Sequence, residues 1–450
     1  MNWKITPTLF LIFFFLSHPA QAAGDNNGIA KQPNFSVNYD VFIKRETLET
    51  PRIQMTIRGG DEIKDVTLVL EKDRYRHFRG DGTLTQLGSD IVWTPTGLVS
   101  RLEYESVLPH ERRKGLYDSY GEKTWFITRT NDLFPHLIIS YLKTAKSETR
   151  IRFHLPKGWQ AIAAMPESTD GAYRARSAPD YRYEWPTGWL IFGDVVTEHA
   201  KARDVIITFA YPQSFVGPEK TPSTGGKSVR GEKFRAKIKN AIEIYEKVIP
   251  LMADFMPAYA RHFLVVYGKT PMWRGGLSGE DSLFINWRIR NLSHDFSSTL
   301  IHEYFHVCQG FKKDKRDGDW IVEGLAEYYS LRLLWEAGVI TKEQFKTGVS
   351  LYETEGRWGI NLSRSSDKRV IYNSVPLVMF VLDQMIQEKT AGKKSLKNVI
   401  GLLVERGAPV GTHLFQETLE TLMGESLKKL FQSQVLGGIA PEYKPFLERL

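Results

Sequence analysis

Two hydrophobic periods divide the chain. From Asn34 to about Ser214, apolar residues recur in short alternating runs such as Ser36–Phe42, Gln54–Ile57, Val66–Leu70, Leu137–Leu142 and Val205–Tyr211, with Gly, Pro, Asn and Asp between them. Period-two alternation bounded by turn formers predicts half-buried strands, and their unbroken succession suggests an antiparallel sandwich more than a βαβ array. Pro218 to Gly231 (PEKTPSTGGKSVRG) is polar and rich in turn formers, which marks a boundary between units. Beyond it the period becomes helical: Ile238, Ala241, Ile242, Tyr245 and Val248 share one face, followed by a β-like run from Phe263 to Tyr267. A Gly-rich turn from Arg274 then feeds a second strand ending at Asn286, and from Asp295 to Leu450 the pattern is almost wholly helical. Turns are expected near Gly338, Gly356 to Asp367, Gly392 and Gly407. The expected fold is α+β and multidomain: an antiparallel β-sandwich over 33–215, a linker over 216–231, a mixed α/β unit over 232–345 and a helical domain over 346–450.

The first 22 residues stand apart. Lys4 precedes an eight-residue apolar run, Leu9–Leu16, and small residues at Ala20 and Ala22 fit a cleavage site. Eight residues fall far short of the roughly 20 needed to span a bilayer, so an export signal is expected, with a periplasmic or secreted product. No later stretch is expected to reach spanning length. The 450 residues are 42% hydrophobic and 25% charged, which excludes a disordered chain. The net charge of +8 is spread without the runs that a nucleic-acid footprint requires, so it reads as solvation and no nucleic-acid partner is expected. With Cys308 as the sole cysteine no intramolecular disulfide can form, and Cys308 itself reads as a small buried residue.

The chemistry concentrates in His302-Glu303-Tyr304-Phe305-His306. On a helix two histidines four apart share a face and can bind one Zn²⁺, while the adjacent Glu303 can accept a proton from water activated there. Asp295, Ser297 and Ser298 are candidate caps for that helix. A catalytic zinc site needs a third protein ligand. Downstream, Asp319 to Ser330 starts another helix with Glu323 and Glu327 four apart among apolar and aromatic neighbours. The 16 residues from Val307 to Val322 allow the chain to double back, so either carboxylate could complete the site while the other accepts the free N–H of a ligand histidine.

His302-Glu-Tyr-Phe-His306 followed by Trp320-Ile-Val-Glu-Gly-Leu-Ala-Glu-Tyr-Tyr329 resembles the gluzincin metallopeptidases, specifically the glycyl aminopeptidase and aminopeptidase N families. Gly275-Gly276-Leu277 is similar to the strand turn of the glycyl group, and Val370 to Asp383 resembles the helix that carries the family's catalytic tyrosine. The resemblance implies a thermolysin-like α/β catalytic domain with one Zn²⁺ per chain, held by His302, His306 and Glu323, with Glu327 behind the ligands. It also implies a peptide or protein substrate, Glu303 as general base, Tyr372 as oxyanion donor, and a substrate edge formed by Gly275, Gly276 and Leu277 with Glu280 nearby. Where strict aminopeptidases carry a Glu that holds the free amine, this chain has Ser278. Endopeptidase action, or a silent gluzincin fold serving as a binding module, therefore stands beside the aminopeptidase expectation.

Overall fold

The structure is a computed structural model that describes residues 35–59, 63–141, 147–175, 183–217, 229–256 and 261–450. The expected leader at 1–22 and linker residues 218–228 lie outside them. Three sheets form the N-terminal region. In Phe35–Phe42 the odd positions Phe35, Val37, Tyr39 and Val41 are buried, as alternation requires of a strand with one apolar face. This strand sits inside a six-stranded sheet between Arg52–Arg58, antiparallel, and Ser147–His154, parallel. A four-stranded sheet is built on Ile63–Val69, and a five-stranded sheet contains His110–Arg113, Leu116–Glu122, Trp125–Arg129 and Trp189–Gly193.

The five-stranded sheet is covered on both faces. Trp125, Ile127, Trp189 and Ile191 enter one core, whereas Phe126, Leu190 and Phe192 enter that of the other N-terminal sheets. The first of these cores continues into a fourth sheet, ordered Val195–Ala202, Val205–Pro212, His262–Gly268, Ser282–Asn286 and Gly276–Gly279. This corrects two expectations. The N-terminal sheets are not purely antiparallel, and Val195–Pro212, placed in the sandwich with the rest of 33–215, belongs to the sheet that carries the site. Alternation reports a half-buried strand but not its partner. Here the partner is reached by a crossover through helix α1 (Val229–Ala253), which returns the chain parallel to Val205–Pro212. His262–Gly268 and Ser282–Asn286 are buried almost throughout, as strands covered on both faces must be.

Helices α2 (Thr299–Cys308) and α3 (Asp319–Glu336) pack together beneath this sheet, followed by α4 (Lys342–Glu355) and α5 (Val375–Lys389). Turns fall near the expected glycines: Gly356 ends α4, while Gly338 and Gly392 take positive φ just beyond α3 and α5. A methyl group on Gly324 would lie 2.3 Å from Val375 Cγ1, so the residue after Glu323 must be glycine for α3 to approach α5 this closely. The helical run Val370–Lys389 is, by length and composition, capable of crossing a membrane, contrary to the expectation that no later stretch is. Its side chains from Val375 to Leu382 are buried against the other helices, the position of a core helix.

Candidate metal centre and cleft

Helix α2 presents the two histidines from adjacent turns and α3 lies against them. His302 Nε2 and His306 Nε2 are 3.1 Å apart, and Glu323 Oε2 lies 3.3 Å from the first and 3.5 Å from the second. A tetrahedral ion with bonds of about 2.0–2.1 Å to nitrogen and oxygen separates its ligands by about 3.3 Å, so this triangle has the size of a zinc site. The outer hydrogen bonds agree. His302 Nδ1 faces Glu327 Oε2 at 2.8 Å, and His306 Nδ1 faces Gln309 Oε1 at 3.4 Å. Each acceptor draws the ring proton to Nδ1 and leaves the Nε2 lone pair turned inward. Two lone pairs and a carboxylate at such short range repel unless a cation lies among them, so the donor set fits Zn²⁺.

The electrostatics point the same way. Burial lowers the affinity of His302 for a proton, but hydrogen bonds to Glu323 and Glu327 outweigh it and hold the imidazole well above its ordinary value. Burial would raise the Glu323 carboxyl, yet the two histidines hold it far below the usual carboxylate range. The carboxylates that favour positive charge on His302 equally favour a divalent cation beside it.

A cavity of about 440 Å³ opens beside this floor; His302 lines it, whereas His306 and Glu323 do not. Glu303 lines it, 9% exposed, against the edge strand Gly276–Gly279. A Cβ on Gly276 would fall 2.4 Å from Glu303 Cγ and 2.7 Å from Oε1, so only glycine lets the strand approach the carboxylate this closely. Tyr372 also lines it, its ring centroid 5.8 Å from that of His302, and is 37% exposed. Burial of the phenol, together with Glu323, Glu303 and Glu327, raises its pKa, so it remains an O–H donor. It lies in a π-turn, Val370–Ser374, leading into α5. Pro376, four residues on, has no N–H to offer the Tyr372 carbonyl, which accounts for the local unwinding.

The expected residues do not all converge. Gly275 and Gly276 line the cavity with His302, Glu303, Glu327 and Tyr372, but Leu277 and Glu280 do not. Leu277 packs on the core and its carbonyl accepts from Trp189 Nε1 at 2.9 Å, while exposed Glu280 accepts from Thr187 Oγ1. Glu280 lies four residues past Gly276, just beyond the end of the edge strand, and so stands away from the floor. Of the candidate caps, Ser298 is the N-cap of α2 without a side-chain hydrogen bond, and Asp295 instead accepts from the Ser297 N–H at 3.1 Å. The sequence reading also missed part of the wall: Arg113 and Leu116 from the N-terminal region, Trp273 and Arg274 before the glycines, and Lys368 before the π-turn. Only Trp273 and Arg274 had a signal, their adjacency to the Gly-rich turn. Three larger hollows among the described residues, of about 900, 730 and 590 Å³, lie elsewhere and none is lined by a histidine.

No protein-family profile and no curated protein matches the sequence. Solved structures do match in fold. An aminopeptidase N family protein from Idiomarina loihiensis superposes with a TM-score of 0.67 at 13% identity, over 92% of this chain and 78% of the other. An M1 zinc metallopeptidase from Deinococcus radiodurans gives 0.56 at 14% identity, over 91% and 94%. A variant of that enzyme bound to a Tyr-Ser-Ala substrate gives 0.56 over the same shares. The chain thus has the fold of these proteins, with several sheets and a C-terminal helical region.

Proposed function

We propose that this protein is an exported, zinc-dependent peptidase of the gluzincin type, with a thermolysin-like catalytic unit. The observation that carries this reading is the 3.1–3.5 Å triangle of His302, His306 and Glu323 with Glu303 beside it in a cavity. The fold shared with zinc metallopeptidases supports it. A zinc ion in that triangle supplies Lewis acidity, which acidifies water and polarises a carbonyl oxygen. The protein's own residues do the rest. Glu303 takes the proton from the attacking water at its carboxylate and passes it to the leaving amine nitrogen. Tyr372 donates its phenol O–H to the carbonyl oxygen as negative charge develops there, a contact strongest in the transition state. Glu327 fixes the tautomer and orientation of His302. An extended substrate lies along the Gly275-Gly276 end of the edge strand, because further along the Ser278 carbonyl accepts from Arg129 Nη1 at 3.2 Å. Export rests on the leader-like pattern of residues 1–22.

Aminopeptidase-like action follows the fold likeness, but one observation favours an endopeptidase. Among the described lining residues the carboxylates are Glu303 and Glu327, and Glu327 is engaged with His302. No further carboxylate there holds a free ammonium. The test is hydrolysis of a mixed peptide library, each member free or N-acetylated, with zinc and after chelation. Zinc-dependent cleavage of free peptides alone establishes an aminopeptidase, and cleavage of both establishes an endopeptidase. Zinc binding without any hydrolysis overturns the enzyme reading in favour of a binding module.

A further inference from the structure

We propose that the cleft selects peptides bearing carboxylate side chains beside the scissile bond, recognised by a cationic rim centred on Trp273. This rests on the peptidase reading and adds its substrate class. Outside the histidine–carboxylate floor, every charged residue lining the cavity is a cation: Arg113, Arg274 and Lys368. They come from three distant segments, so the fold and not a local charge run brings them together. Arg112, Arg113 and Lys368 also place their charges 5.2, 5.5 and 5.8 Å from the centroid of the Trp273 ring. Trp273 is fixed there because its N–H donates to the Tyr117 carbonyl at 2.7 Å and the Tyr117 N–H donates to Pro271 O at 3.0 Å. The hairpin that supplies Arg112 and Arg113 is thereby tied to the turn that supplies Arg274.

Nearby acids do not neutralise this rim. Asp118 pairs with His110 at 2.5 Å and reaches Arg112 only at 3.9 Å, and Asp367 pairs with Arg357 and Arg369 at 2.7 and 3.4 Å. Among the described residues Arg113, Arg274 and Lys368 have no carboxylate within ion-pairing distance. Like charges held about one ring repel, and an anionic guest relieves that repulsion while its apolar stem covers the indole. The same rim disfavours a free ammonium, which fits the lack of a carboxylate to hold one.

The test uses zinc-loaded protein and labelled, C-terminally amidated peptides that differ only in Glu against Gln next to the scissile bond. Binding is read by fluorescence anisotropy on the Glu303→Gln variant, so turnover does not intrude. The Glu peptide should bind about tenfold tighter than its Gln twin, and about 0.5 M salt should shrink the gap. Arg113→Gln combined with Lys368→Gln, both at exposed positions, should narrow the gap to about threefold or less, with Arg112 and Arg274 still in place. Equal affinities in the parent protein, or an undiminished gap in the double variant, overturns the proposal. Hydrolysis by the wild type separates the two readings. Selective binding without cleavage sinks only the peptidase, and cleavage of both peptides at equal kcat/KM sinks only the selectivity.

Discussion

The floor and the rim of the cleft are built in opposite ways. The floor comes from two adjacent helices, and each of its donors is positioned by a partner one turn or one helix away: His302 by Glu327, His306 by Gln309, Glu323 by both histidines. His302 is buried, His306 and Glu323 are half-buried, and the geometry is over-determined. The rim is exposed, comes from segments more than 90 residues apart, and is held by one indole and two backbone hydrogen bonds. Reactivity is thus encoded in helix spacing, whereas selectivity is encoded in how remote parts of the fold meet. Substitutions in the floor should stop chemistry and those in the rim should redirect it.

The sharpest way to break this contrast is at Gly276. A methyl group there must displace Glu303, whose Cγ and Oε1 would lie 2.4 and 2.7 Å away, and press on Thr299 Cγ2 at 2.8 Å. Gly276→Ala should lower kcat about 100-fold with zinc content and Tm little changed, because a displacement near 1 Å costs that much. Parallel loss of zinc would show instead that strand and floor are one structural unit. Next in size is Glu327→Gln, which weakens the acceptor behind His302 and should reduce zinc affinity about 10–100-fold in a competition titration with a chelator. Unchanged affinity would mean that Glu327 does not position the ligand.

A third substitution asks whether the floor's helix has support independent of zinc. Glu336, at the end of α3, lies 2.7 Å from both Arg332 and Lys397. Burial pushes its carboxyl up, but Arg332 and Lys397 outweigh burial and hold it below its ordinary value of 4.5. A carboxyl lowered in the folded state stabilises fully above its unfolded value, and the contribution is lost as pH falls through the lowered one. Glu336→Gln should therefore cost about 1.5–3 kcal/mol at neutral pH and flatten the decline in stability below pH 4.5. Identical acid denaturation curves would contradict this. The smallest effect is expected at the rim, where Lys368→Gln should change stability by less than about 0.5 kcal/mol and leave turnover of neutral peptides within about twofold. A larger loss with neutral peptides would make the rim part of the machinery.

The same division governs how much could be read from the chain alone. Histidines four apart, a doubling-back of 16 residues and carboxylates four apart made the floor legible, because helical geometry converts each spacing into a face. Which carboxylate binds and where the tyrosine lies came through the family resemblance. Tyr372 does stand beside His302. Glu280 was placed near the substrate by proximity in sequence, but an edge strand moves a side chain about 3.3 Å per residue and the turn carries it out to Thr187. Arg113 and Lys368 had no signal, since no periodicity reports a meeting of segments this distant. The strand Val205–Pro212 was misplaced for the same reason: its alternation is visible, its partner His262–Gly268 is not.

The most direct test of the account is zinc stoichiometry beside peptide hydrolysis, for the wild type and Glu303→Gln in parallel. The account predicts one zinc per chain in both proteins, with hydrolysis in the variant reduced by about 10²–10⁴-fold, the range for loss of a general base. Absence of stoichiometric zinc from the wild type, or full activity in the variant, would contradict it.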